Sequence, residues 1–173
     1  MGVAPRGVGT GEEVVGREYS RPMKRSDELA PLSREHHVAL EMALRLKRAT
    51  VLDADEVRGL VTGFWDDEGR DHFRAEEDIL LPAFARHAPA DDPDVVRVLA
   101  EHEELRRRMD DLPAVPAPGP PALHELGALL QAHVRHEERT LFPRIEAALS
   151  AAELGAVGAQ LAAAGAQHRP PRA

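Results

Sequence analysis

HFRAEEDILLP, residues 72–82, and HVRHEERTLFP, residues 133–143, write one pattern twice. Each copy has a His, Glu-Glu at the fourth and fifth places after it, two apolar residues at the eighth and ninth, and Pro at the tenth. On an α-helix a residue and its fourth successor share a face, about 6 Å apart along the axis. His72 therefore stands in line with Glu76, and His133 with Glu137. The tails, Leu80-Leu81 and Leu141-Phe142, are apolar enough for a core. Imidazoles and carboxylates resist burial, and a carboxylate in a core is costly unless it is paired or bound to a cation. A repeat that sets both on an apolar face needs something to hold them there.

Helical spacing extends outward from the two copies. LAPLSREHHVALEMALRLKRA, residues 29–49, places Leu32, His36, Leu40, Ala43 and Leu44 near one stripe. Asp53 followed by Glu56 resembles a helix N-cap with an answering residue three positions on. A second helix then runs through the first copy, with a kink expected near Gly69 or Pro82, since Pro82 cannot donate to the carbonyl of Asp78. A third helix spans about 94–112. PAVPAPGPP, residues 113–121, holds five prolines and reads as a linker. A fourth helix covers about 122–149 and carries the second copy. Residues 1–26 are Gly-rich without a sustained period and read as a flexible tail. Residues 151–173 read as a short Ala-rich helix and a second tail. The fold class expected for residues 27–150 is all-α, an up-down-up-down four-helix bundle. Only 3% of the chain is aromatic, so the core must be Leu, Val and Ala, a thin filling unless something else ties the helices.

Composition removes several functions. The 173 residues contain no cysteine, which excludes disulfides, thiolate catalysis and Cys-based zinc sites. The formal net charge of -8, with scattered Lys and Arg, does not suit a phosphate backbone or an anionic membrane surface. No apolar run approaches the ~20 residues a bilayer needs, and no secretory signal opens the chain. A cytoplasmic protein is expected, a monomer or weak dimer, without nucleic-acid or membrane partners.

The nine histidines are what remain to be placed. His36 continues the stripe of Leu32, Leu40 and Ala43, and His102 that of Val95, Val98, Leu99 and Leu105. His72 lies seven residues after Trp65 and seven before Ile79, and His133 follows Leu126, Leu129 and Leu130. Each helix thus offers an inward His, and Glu76 and Glu137 join them from alternate helices. A metal pair reconciles burial with charge: iron accepts both imidazole and carboxylate, and the two glutamates can bridge it. The Glu-x-x-His spacing of ferritin-like bundles and the HExxH of zinc proteases are both absent. His37 shares a phase with Leu40 and Leu44, so it rivals His36; the doublet Glu35-His36, repeated as Glu101-His102, favours His36. His136 stays close to His133 and is a further candidate, whereas His87, His124 and His168 carry no such signal. Glu77 and Glu138 point about 100° away from the inward stripe, toward solvent or a neighbouring helix.

LSREHH, HFRAEEDILLP, AEHEEL and HVRHEERTLFP, in that order on four helices, resemble the hemerythrin-like (HHE cation-binding) family over roughly residues 29–149. The resemblance implies a bundle around two iron ions, oxo- or hydroxo-bridged, held by His36, His72, Glu76, His102, His133 and Glu137. It also implies hydrogen peroxide, dioxygen or nitric oxide as ligands. Two positions depart from the oxygen-storage members. Arg106 stands where they place a second third-helix His, and Glu137 where they ligate through Asp. One nitrogen ligand fewer leaves an open position on one iron, which points to catalase-like peroxide chemistry rather than reversible oxygen carriage. A module that senses or stores oxygen, nitric oxide or iron without turnover would use the same ligands. Arg106 either faces the site or pairs outward with a carboxylate.

Overall fold

Four long helices alternate in direction, and a fifth packs against residues 70–80 of the second. α1 is Ala30–Arg48. α2 runs over residues 54–84 as Ala54–Phe64, Trp65–Gly69, Arg70–Ala75, Glu76–Leu80 and Leu81–Phe84, with helical backbone at every junction. α3 is Pro93–Asp111, α4 covers residues 120–148, and α5 is Ala151–His168. The computed structural model describes residues 25–114 and 119–168, except the side chains of 166–168. Most of the expected N-terminal tail, part of the linker and the end of the chain lie outside these. Among the described residues there is no strand, and no helix is long and apolar enough to cross a membrane.

Both proline-tailed repeats pass through a wide π-turn. Pro82 and Pro143 have no N–H to offer the carbonyl four residues back, and the hydrogen bonding just ahead of each slips by one residue. The Leu81 N–H bonds to the Glu76 carbonyl, and the Phe142 N–H to that of Glu137. A third π-turn occupies Trp65–Gly69. At Gly69 and just ahead of Pro82, the alternative places named for a kink, the helix widens into a π-turn and continues.

Two apolar clusters fill the bundle, with a polar layer between them. One contains Ala43, Leu46, Val61, Trp65, Phe73, Leu105, Met109, Leu126, Leu130 and Val134. The other contains Leu29, Leu32, Leu80, Phe84, Val98, Leu141, Phe142, Ile145, Val157 and Leu161. α1 and α3 run from the second cluster to the first, and α2 and α4 run back, which is the up-down-up-down order. α1 and α4 approach closely at Gly127, where a Cβ would lie 2.6 Å from the Ala43 carbonyl oxygen.

Several local expectations change. Leu44 is exposed while Leu46 and Ala39 are buried, so the inner stripe of α1 has the phase of His36 and not that of His37. Leu99 is also exposed. Asp53 does not cap α2 with its side chain: its Oδ1 accepts from the Thr50 N–H and hydroxyl, at 2.5 and 2.9 Å, and is used up there. α4 starts at Pro120, inside the expected linker, because prolines suit a first turn whose N–H groups have no helical partner. Arg25 and Ser26, expected in the tail, are bonded into the bundle through Glu138 and Glu146. The Ala-rich segment is an 18-residue helix whose Val157 and Leu161 join the second cluster.

Candidate metal centre

Six side chains form the polar layer: His36, His72, Glu76, His102, His133 and Glu137, each at most 8% exposed. They come from the four long helices, so the sequence-expected set converges in full. Their ligand-type atoms fall into two overlapping groups, His36, His72, Glu76 and Glu137, and Glu76, His102, His133 and Glu137. Within each group these atoms lie within 4.8 Å of one another. Glu76 and Glu137 belong to both. Glu76 turns Oε1 to His72 Nε2 at 3.3 Å and Oε2 to His102 Nε2 at 3.2 Å. Glu137 sets Oε2 at 3.1 Å from His36 Nε2 and 3.2 Å from His133 Nε2. The Nε2 atoms of His36 and His72 are 3.0 Å apart, about the separation of two nitrogens bound at a right angle to one ion at ~2.1 Å.

All four carboxylate oxygens of Glu76 and Glu137, with Nε2 of His102 and His133, are buried without a hydrogen-bond partner. Orphaned polar atoms are costly in a core, and here they share one centre. A cation there satisfies them together, so the residues fit the metal that the sequence implies.

Behind each imidazole stands a second carboxylate. His72 Nδ1 donates to Glu35 at 2.7 Å, His102 Nδ1 to Glu77 at 2.9 Å, His133 Nδ1 to Glu101 at 3.1 Å, and His36 Nδ1 to Glu138 at 2.7 Å. Each acceptor lies on the neighbouring long helix, and the four bonds close a ring around the bundle. They fix Nδ1 as the protonated nitrogen and leave every Nε2 for the centre. Three of the carboxylates are held in turn by arginines: Glu138 by Arg25 at 2.8 Å, Glu77 by Arg106 at 3.0 Å, and Glu101 by Arg97 at 2.8 Å. Glu35 is 45% exposed. Sequence reasoning gave Glu77 and Glu138 no part in the site and used Glu35 and Glu101 only to choose between histidines. The repeated doublets Glu-His and Glu-Glu were the signal for them.

The remaining candidates separate cleanly. His37 is exposed and donates Nδ1–H to the Ser33 carbonyl at 2.7 Å. His136 faces α3, with Nε2 3.2 Å from Asp94. His87 pairs with Glu153, and His124 donates to the Ala49 carbonyl. The His168 side chain lies outside the described residues. Of the two readings of Arg106 the pairing with a carboxylate is the one found: it holds Glu77, the carboxylate that holds His102.

Charge balance in the metal-free layer follows from these contacts. Burial by itself lowers the pKa of His102, but the Glu137 and Glu76 carboxylates close to its Nε2 override it and raise the value to about 9. His36 and His72 are raised against the same burial cost, His36 through Glu137 and Glu138, His72 through the charge of Glu76 and its bond to Glu35. Burial pushes Glu76 upward, and the imidazoles outweigh it, leaving Glu76 well below the carboxylate range. Glu138 drops to about 2: burial opposes this, and His36, Ser33 and Arg25 outweigh it.

A cavity of about 20 Å³ adjoins the layer, walled by Phe64, Trp65, Phe73, Leu105, Met109, Leu130 and the edges of His36, His72 and His133. That is room for one molecule the size of water. Glu35 and Glu68 stand on its wall.

The family model described as hemerythrin HHE cation binding domain matches residues 27–145. No curated protein and no solved structure gives a match. The matched span contains the first three long helices, α4 up to residue 145, both copies of the repeat and the six converging side chains, and the chain belongs to the hemerythrin HHE cation-binding domain family.

Proposed function

We propose that the centre binds two iron ions, bridged by Glu76 and Glu137, and that the loaded protein decomposes hydrogen peroxide. The observation that carries this is the donor count. Each of the two ligand groups would offer an ion two imidazoles and two shared carboxylates, four protein donors, fewer than iron accepts, beside a cavity of about 20 Å³ that admits only small molecules. An oxo or hydroxo bridge completes the pair in this reading. Bound iron supplies Lewis acidity and one-electron redox chemistry. The chain does the rest. His36, His72 and His133 border the cavity, and the apolar wall limits water. Glu35, in contact with both solvent and His72 Nδ1, moves a proton at Oε2 between bulk water and the layer. Arg106, by occupying Glu77, keeps His102 directed inward and adds no donor atom.

The test is one iron-loaded sample in an oxygen electrode and a stopped-flow cell. Peroxide is expected to be consumed with release of dioxygen, two peroxides giving one dioxygen and two waters. The reduced protein is expected to be oxidised promptly and irreversibly by dioxygen. Reversible oxygen or nitric oxide uptake without peroxide consumption would replace this reading with a sensing or storage module.

A further inference from the structure

We propose that Trp65 is a redox relay of the metal centre, a one-electron donor connected to it through Phe73 and His102, with Asp110 as acceptor of its indole proton. This rests on the peroxide reading above. Trp65 is the one tryptophan of the chain, and there is no cysteine. Its indole is 2% exposed and meets the Phe73 ring edge-on, with centroids 5.3 Å apart. Phe73 lies almost flat on His102, at 3.8 Å and 13°, and edge-on to His133 at 5.4 Å. Unbroken π-contact therefore runs from two centre-facing imidazoles to the indole. At the far side Nε1 donates to Asp110 Oδ1 at 2.6 Å, and Asp110 is 42% exposed. The chain of groups ends in water.

Packing explains a buried tryptophan with a satisfied N–H, but a neutral acceptor would do for that. Two further features bear on electron loss. The Arg70 guanidinium carbon is 5.1 Å from the ring centroid, and a cation there opposes a positive charge left on the indole. Electron and proton must then leave together. The group on Nε1 is a carboxylate, a base where packing alone would need only a neutral acceptor, and its Oδ1 also meets Arg70 Nη2 at 2.6 Å. The ring's place is also set by the backbone, since a Cβ at Gly69 would lie 2.5 Å from Trp65 Cε3.

The step balances as follows. Hydrogen peroxide takes two electrons and two protons as its O–O bond breaks and two waters form. When the metal pair has one electron to give, Trp65 gives the other, its N–H bond breaks, and the proton passes to Asp110. Solvent supplies the peroxide's protons and receives that of Asp110.

The experiment uses iron-loaded full-length protein, with Trp65→Phe and Asp110→Asn checked for helicity and metal content. Half-reduced samples receive hydrogen peroxide and are frozen for electron paramagnetic resonance, and peroxide loss and oxygen addition at Trp65 are measured in parallel. Separately, the reduced protein is oxidised by hexachloroiridate, an outer-sphere one-electron oxidant too large for the cavity. The wild type is expected to give an organic radical at Trp65, and oxygenated Trp65 where that radical combines with the dioxygen that peroxide decomposition releases. Trp65→Phe is expected to give neither, and both variants to slow the iridate reaction roughly tenfold. Peroxide consumed without radical, oxygen addition or slowing overturns the relay and spares the peroxide reading. Peroxide untouched with the iridate reaction slowed in both variants supports the relay and overturns the peroxide reading.

Discussion

Glu137 and Glu138 are neighbours in sequence with different work, and replacing each by Ala separates them. Glu137 contributes an oxygen to both ligand groups. Four-donor metal sites bind with ~10–16 kcal/mol in all, so one donor is worth roughly 3 kcal/mol, or about 100-fold in affinity at each ion. Glu138 contributes no donor: it accepts from His36 Nδ1 at 2.7 Å and from Ser33 at 2.6 Å, and anchors Arg25 at 2.8 Å. Losing such a support costs ~10–100-fold, felt chiefly at the ion of His36. Glu137→Ala is therefore expected to lose both metals to a chelator that leaves Glu138→Ala half loaded or better. The assay is chelator competition with metal quantification at fixed pH, with circular dichroism to confirm folding. Equal losses, or the larger loss from Glu138→Ala, would refute the division between bridging and supporting carboxylates. Glu138→Gln, whose amide oxygen still accepts from Nδ1, is expected to fall between Glu138→Ala and wild type.

Metal removal is expected to lower the melting temperature, because Glu76 and Glu137 then depend on imidazolium partners alone; calorimetry with and without chelator checks it. The metal-free protein should also lose stability as pH rises. His102 has a folded value of about 9, above its unfolded ~6.5, so its contribution, at most about 3 kcal/mol, is full below pH ~6.5 and lost through pH 9. Urea titrations at pH 6 and pH 9.5 measure this, and equal stabilities would contradict it. Glu138 acts in the opposite sense, stabilising above pH ~4.5 and losing that effect as pH falls toward about 2. Gly127→Ala should cost about 1–3 kcal/mol by urea denaturation, since its Cβ meets backbone at Ala43 and cannot push a flexible side chain aside.

The six inward residues were legible because helical phase is strict and the His–Glu spacing occurs twice. His36 and His37 could not be separated by phase alone, since Leu40 and Leu44 are as apolar as the residues buried in their stead. Ala39 and Leu46 decide the matter, and only packing reveals that. The supporting carboxylates were hidden for a different reason. Glu35 serves His72 and Glu138 serves His36 across helices, and a one-dimensional pattern does not say which helix is next. Arg25 lay in a stretch with no period, and its role depends on Glu138 and Glu146, far along the chain. The fifth helix was foreseen only as a short appendage, because its Ala-rich sequence signals helix without naming the surface that Val157 and Leu161 cover.

The ring of Glu-to-His bonds divides into equal shares. The hairpin of α1 and α2 owns Glu35, His36, His72, Glu76 and Glu77, and that of α3 and α4 owns Glu101, His102, His133, Glu137 and Glu138. Exchanging the hairpins maps every bond of the ring onto another: Glu35–His72 onto Glu101–His133, and Glu77–His102 onto Glu138–His36. One hairpin thus carries the full parts list of the centre, used twice about a twofold axis along the bundle. A chain nicked in the loop between α2 and α3 keeps each hairpin's internal bond. Its two fragments meet again through the crossed bonds, the shared glutamates, the apolar clusters and peripheral bonds such as Trp65 to Asp110 and Arg25 to Glu146, and a metal held by both hairpins would act as the clasp that reunites them.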